Sequence, residues 1–144
     1  MIPFRKEIRG ALALLAVVTI FGCGRKADPK PYVLVQPEAT ATLSGDIVKE
    51  GVRLRWMRPE NTVGGDRMDD LGGFVVFRGR PGQESEELAK VPVEDRARFQ
   101  REKRFEYVDR GVGKGEAYYY RIVSHTTDGY YSEPSNQVSL EIPR

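Results

Sequence analysis

The sequence predicts an all-β fold: a seven-stranded β-sandwich of two antiparallel sheets, preceded by an apolar leader and a proline-containing tether. Three observations predict it. Residues 118–124 alternate large apolar with more polar side chains, as a half-buried strand does. Val52-Arg53-Leu54-Arg55-Trp56 alternates strictly, with Val, Leu and Trp on one face. Turn signals rich in Gly, Pro and Asp recur roughly every ten residues, the spacing of short strands in a sandwich. A length of 144 residues accommodates one such domain with a leader and linker to spare, and the 40% apolar content is ordinary for a globular chain.

The leader has three parts. Arg5, Lys6 and Arg9 form a positive start, and residues 10–21 form an uncharged apolar run. That run falls short of the ~20 residues a transmembrane helix needs and matches a signal peptide. It ends in Ile20-Phe21-Gly22-Cys23. A small residue directly before a cysteine, at the end of an apolar run, resembles the lipobox of bacterial lipoproteins, although Phe21 is bulkier than the residue usual there. The resemblance implies a signal peptide over residues 1–22, diacylation of Cys23 and acylation of its new amine with palmitate or a similar chain. At ~0.8 kcal/mol per buried CH₂, several acyl chains hold a protein on a membrane essentially permanently. Gly24, where Asp would favour the inner membrane in such lipoproteins, implies the outer membrane of the bacterial cell envelope, facing the periplasm. Cys23 is the only cysteine, so the mature chain has no disulfide.

Residues 23–35 form the lipidated cysteine and its tether. Pro29 and Pro31 predict an extended, non-helical course, and Arg25, Lys26 and Lys30 suit an anionic lipid surface. A plain spacer is the simpler reading than a recognition motif. The net charge of +2 belongs to the leader, which holds three of the basic residues and one of the acidic ones. The balanced remainder argues against nucleic acid as a partner, because displacing counterions takes a sustained excess of Lys and Arg.

The domain spans residues 36–144. A first strand is expected over residues 38–43, then a turn at Gly45-Asp46 and the strand that ends at Trp56. A polar loop runs to Asp70, a third strand covers residues 73–78, and Gly79-Arg80-Pro81-Gly82 closes it. Residues 87–93 form a weaker strand that Pro92 places at an edge. Residues 94–104 are densely charged and read as a solvated loop; a surface for acidic lipid or wall polymer is the alternative. A short strand from Phe105, the long strand through Tyr120, a polar hairpin and a last strand from Val138 complete the set.

These pieces resemble the fibronectin type III domain. The alternation into Trp56 with Pro59 three residues later, Phe105-x-Tyr107-x-Asp109-x-Gly111, and Tyr118-x-Tyr120-Arg121-Ile122 followed by Gly129, Ser132, Pro134 and Ser135 carry the likeness. It covers roughly residues 36–142. It implies an immunoglobulin-like sandwich with Trp56 at its centre and Tyr118 as a tyrosine corner, its hydroxyl bonded to backbone near Gly113. Tyr120, Ile122 and Ser124 then point inwards to meet Phe74 and Val76, with Val138, Leu140 and Ile142 from the last strand.

Little in the chain suggests catalysis. His125 is the only histidine, and no serine sits in a Gly-x-Ser-x-Gly elbow. Asp66, Asp69 and Asp70 lack the spacing of a calcium loop, and Asp109 reads as a cap on the turn before Gly111. No enzyme activity, cofactor or metal is expected. The parity of the strands instead turns Val75, Phe77, Tyr119 and Val123 outwards, an apolar patch that fits a protein or polysaccharide partner unless the tether or arginine stems cover it. Tyr130 and Tyr131, at a hairpin tip, form a second candidate surface.

Overall fold

The regular alternation around Trp56 becomes strand β2 (Gly51–Met57), in which Val52, Leu54 and Trp56 are buried and Arg53 and Arg55 face outwards. The structure is a computed structural model that describes residues 28–94 and 104–144. The expected signal peptide, Cys23 and most of the charged run after Glu94 lie outside the described residues. β2 lies between β1 (Ser44–Val48) and β5 (Arg104–Asp109) in a three-stranded antiparallel sheet. Facing it is a four-stranded sheet in the order β4 (Glu86–Pro92), β3 (Leu71–Gly79), β6 (Ala117–Thr126), β7 (Val138–Glu141), antiparallel throughout.

The inward sides of the two sheets form one core. Trp56 meets Phe74 edge-on with ring centres 5.4 Å apart and stacks on Phe105 at 6.3 Å, while Phe74 and Phe105 lie 4.7 Å apart. Leu54, Leu71, Val76, Tyr120 and Ile122 are sealed around them. Burying a side chain of this size contributes about 1.5–3 kcal/mol, so the period-2 pattern and the sandwich support one another. Ser124 is also buried, on the inward parity the sequence predicts.

Two expectations about the start of the domain are corrected. The first strand is Ser44–Val48, not residues 38–43, and Gly45-Asp46 lies inside it; the turn is at Lys49-Glu50. Residues 40–42 do run beside the end of β2, but through side chains. Thr40 Oγ1 donates to the Met57 carbonyl at 2.8 Å, and the Met57 N–H donates to Thr42 Oγ1 at 2.9 Å. Leu43 is held by both ends of the Asn136 amide, at 3.0 and 2.9 Å. Threonine hydroxyls and one amide thus replace a backbone ladder. The second correction concerns the tether: Tyr32–Val35 is a single helical turn, α1, rather than extended chain. Past it, the N–H of Val63 donates to the Gln36 carbonyl and that of Glu38 to the Asn61 carbonyl, so this segment is docked along the β2–β3 loop.

The tyrosine corner is present. Tyr118 is buried, and the Gly113 N–H donates to its hydroxyl oxygen at 3.0 Å. Tyr118→Phe is expected to lose ~1 kcal/mol, the net value of one such bond, read as a lower urea midpoint with an unchanged slope.

The chain from Tyr131 to Gln137 completes the edge of β6 with serines. Ser132 and Ser135 each donate a backbone N–H to a β6 carbonyl, of Ser124 and Ile122 respectively, and their hydroxyl oxygens accept the N–H of the same two residues at 3.0 and 2.9 Å. That arrangement accommodates Pro134, which has no N–H to give.

Candidate interaction surface

Register on the outer face of the four-stranded sheet sets Val75 opposite Val123, Phe77 opposite Arg121, and Gly79 opposite Tyr119. The Tyr119 ring lies across Gly79, where any Cβ would overlap it. Its hydroxyl donates to the Gln83 carbonyl at 2.7 Å, fixing the ring against the β3–β4 turn. The Arg121 guanidinium sits 5.9 Å from the ring centre and donates to Gln137 Oε1 at 2.8 Å. Phe77, Tyr119 and Val123 are half-buried on this face. Val75 is not available there: it is 4% exposed, set between Val123 on β6 and Lys90 on β4. The tether's described residues lie at the end of the sandwich, whereas Arg121 does lie against this face.

Beside Tyr119 a groove of about 440 Å³ opens between the β3–β4 turn and β7, lined by Pro81, Gly82, Tyr119, Gln137, Ser139 and Leu140. Sequence reasoning missed it, because it exists only where that turn folds towards the last strand. The Pro81-Gly82 pair next to an outward tyrosine was the available signal.

At the hairpin tip, Tyr130 is half-buried and its ring lies 5.6 Å from that of Tyr32, while Tyr131 is exposed and rests 5.4 Å from the ring of His125. His125 lies over Gly72 and Gly73, with Nδ1 3.0 Å from the Thr126 carbonyl. Asp66 forms an ion pair with Lys30. Among the described residues, no three His, Cys, Asp or Glu side chains converge on a point where a metal ion would sit, and no helix is long and apolar enough to cross a membrane.

Asp109 does more than cap a turn. Oδ1 accepts the Gly111 N–H at 2.9 Å, and Oδ2 accepts Arg78 Nη1 at 3.0 Å and the Tyr120 hydroxyl at 2.9 Å. Burial, then the bond to Asp109, pushes the Tyr120 hydroxyl well above the usual phenol range. Burial alone would lower Arg78, but its bond to Asp109 and the carboxylate charge outweigh that and raise it. Every polar group in this buried cluster has a partner within it. This is the arrangement of a structural clamp between the sheets.

No protein-family model matches the chain, and no curated protein matches it. Solved structures do. It is similar to the Twitchin kinase region from C. elegans (Fn31-NL-kin-CRD-Ig26), at 22% identity and a TM-score of 0.55, over 76% of this chain and 17% of that one. The chain therefore spans less than a fifth of that protein region. A Fn3-like protein from Clostridium thermocellum is similar over 75% of this chain and 95% of that one, at 20% identity and a TM-score of 0.53. The sixth fibronectin type III domain of a human fibronectin type III domain containing protein aligns over 83% and 92%, at 13% identity and 0.52. At these identities the likeness is one of fold. The fold is a fibronectin type III-like β-sandwich.

Proposed function

We propose that this chain is a lipid-anchored, non-catalytic binding module of the bacterial cell envelope, held through acyl groups on Cys23 in the outer membrane and facing the periplasm. It engages a protein or polysaccharide partner through the outer sheet face around Tyr119. The observation that carries the binding reading is the fixed Tyr119 ring, bonded to Gln83 and continuous with half-buried Phe77 and Val123 beside an open groove. A rigid aromatic surface loses little conformational entropy on binding.

The test is a crosslink from position 119 in intact cells, with Phe77→Ser/Tyr119→Ser as the comparison. Partner recovery is expected to fall severalfold for the double variant while its circular dichroism is unchanged. Equal recovery would remove the face from consideration. Palmitate labelling of the native chain, and its loss in Cys23→Ser, checks the anchor.

One observation favours a second reading, that of a structural or assembly accessory in which the sandwich is mainly a spacer. Residues 30–38 are docked along one end of the domain by an ion pair, a ring contact and backbone bonds. On that reading, loss of function follows Cys23→Ser but not the face substitutions.

A further inference from the structure

Large apolar side chains left in water are not scattered over this domain. Six are prominent among the described residues, and five of them, all but Ile47, belong to one end. Tyr32 (58% exposed), Val33 (53%) and Leu34 lie on α1, Val63 (49%) on the β2–β3 loop, and Tyr131 (48%) at the β6–β7 tip. These segments are physically joined. The Gly64 N–H donates to the Leu34 carbonyl at 3.0 Å, that of Val63 to the Gln36 carbonyl at 2.9 Å, and Tyr32 meets Tyr130. Ile47, by contrast, pairs with Val52 at the start of β2, the opposite end.

We infer that this end of the sandwich is a membrane-contact surface, seated on the lipid headgroups of the bilayer that holds the chain. The inference rests on the lipid anchor at Cys23. Lys30 is fixed to the same loop by its ion pair with Asp66. Seven residues lead from Cys23 to Lys30, and at full stretch they span about 25 Å at most. An acylated Cys23 therefore keeps the α1 end within that distance of the bilayer surface. The Arg80–Gln83 turn is one strand length further away, roughly 30 Å for nine or ten residues.

The chemistry of the exposed groups fits that position. Tyrosine, with an apolar ring and a polar tip, suits the boundary between headgroups and water. Val33, Leu34 and Val63 supply shallow apolar area. Lys30 neutralises Asp66, and exposed Arg67 is offset by exposed Asp69 and Asp128 at the same end, so apolar area rather than net charge carries the contact. A protein partner is the competing occupant; the bilayer is favoured because the anchor already places it there. The Tyr119 face then stands roughly along the membrane normal, open to a periplasmic partner.

The acylated full chain tests this directly. Acylation consumes the Cys23 thiol, so a cysteine introduced at Val33, Val63 or Tyr131 is the only site for a spin label. Labels at Ile47 and Gly82 serve as controls, and the mass of the Cys23 peptide confirms acylation. In phosphatidylethanolamine–phosphatidylglycerol vesicles, labels at 33, 63 and 131 are expected to be severalfold less accessible to a water-soluble nickel chelate than those at 47 and 82, and to gain oxygen accessibility. Equal, aqueous accessibility at all five sites in an acylated chain would overturn the proposal while leaving the anchor intact. Protection found in native membranes but not in pure lipid would assign the patch to a protein and overturn it as well. An unacylated Cys23 peptide would overturn the anchor and the proposal with it.

Discussion

Asp109→Ala is expected to lower the unfolding free energy by about 3 kcal/mol, at the low end of the ~3–5 kcal/mol typical when one partner of a buried charge pair is removed. The carboxylate is buried and accepts from Arg78, Tyr120 and Gly111. Its removal leaves a guanidinium, a phenol and an amide without their acceptor. The loss falls at the low end because Arg78 is partly solvated and keeps Glu86 at 3.7 Å. Urea unfolding measures it as a shifted midpoint with the slope preserved. Asp109→Asn is expected to lose less, because its remaining oxygen still receives the Gly111 N–H.

The same cluster gives the alkaline limb of stability a definite sign. The folded state holds the Tyr120 hydroxyl protonated above its ordinary range, through burial first and Asp109 second. Its contribution is fully present below the unfolded phenol value of about 10 and is lost as pH rises towards the folded value. Stability therefore falls above about pH 10, and Tyr120→Phe flattens that fall.

The sequence was most legible where one physical period dominates. Val52, Leu54 and Trp56, and Tyr118, Tyr120 and Ile122, took the parity their spacing predicts, because a one-residue slip would put every apolar group in water. The tyrosine corner was legible for a related reason: its geometry is local, five residues from Gly113 to Tyr118. The first strand was misplaced because Gly45 and Asp46 carry turn-like residues into an edge strand. Asp46 is stabilised there by Arg55 and, at 3.8 Å, by Arg53 across the pair. Alternation also predicts direction but not depth. Val75 points outwards as its parity requires, yet it is buried, since depth depends on the neighbouring strands. The groove at Tyr119 left only the Pro81-Gly82 pair as a local signal, and the apolar end at α1 left none. Each joins segments far apart in the chain, and no short-range pattern records which loops will meet.

Trp56→Ala is expected to be the most damaging single substitution, at ~3–5 kcal/mol, the usual loss for a large aromatic removed from a core. Trp56 is fully enclosed, and its ring touches both Phe74 from one sheet and Phe105 from the other. A cavity there is bordered by rigid rings on two strands, which limits how far the site can collapse. Because it is the only tryptophan, unfolding of the variant is followed by far-ultraviolet circular dichroism rather than fluorescence. Trp56→Phe separates packing from polarity. The indole N–H is buried without a hydrogen-bond partner among the described residues, and an unsatisfied buried donor costs about 1–3 kcal/mol. Phenylalanine gives up part of the aromatic volume but removes that donor, so the two effects oppose. Its net loss is expected to fall well below that of alanine. A Phe variant as unstable as the Ala variant would mean that a phenyl ring cannot stand in for the volume and shape of the indole between the two sheets.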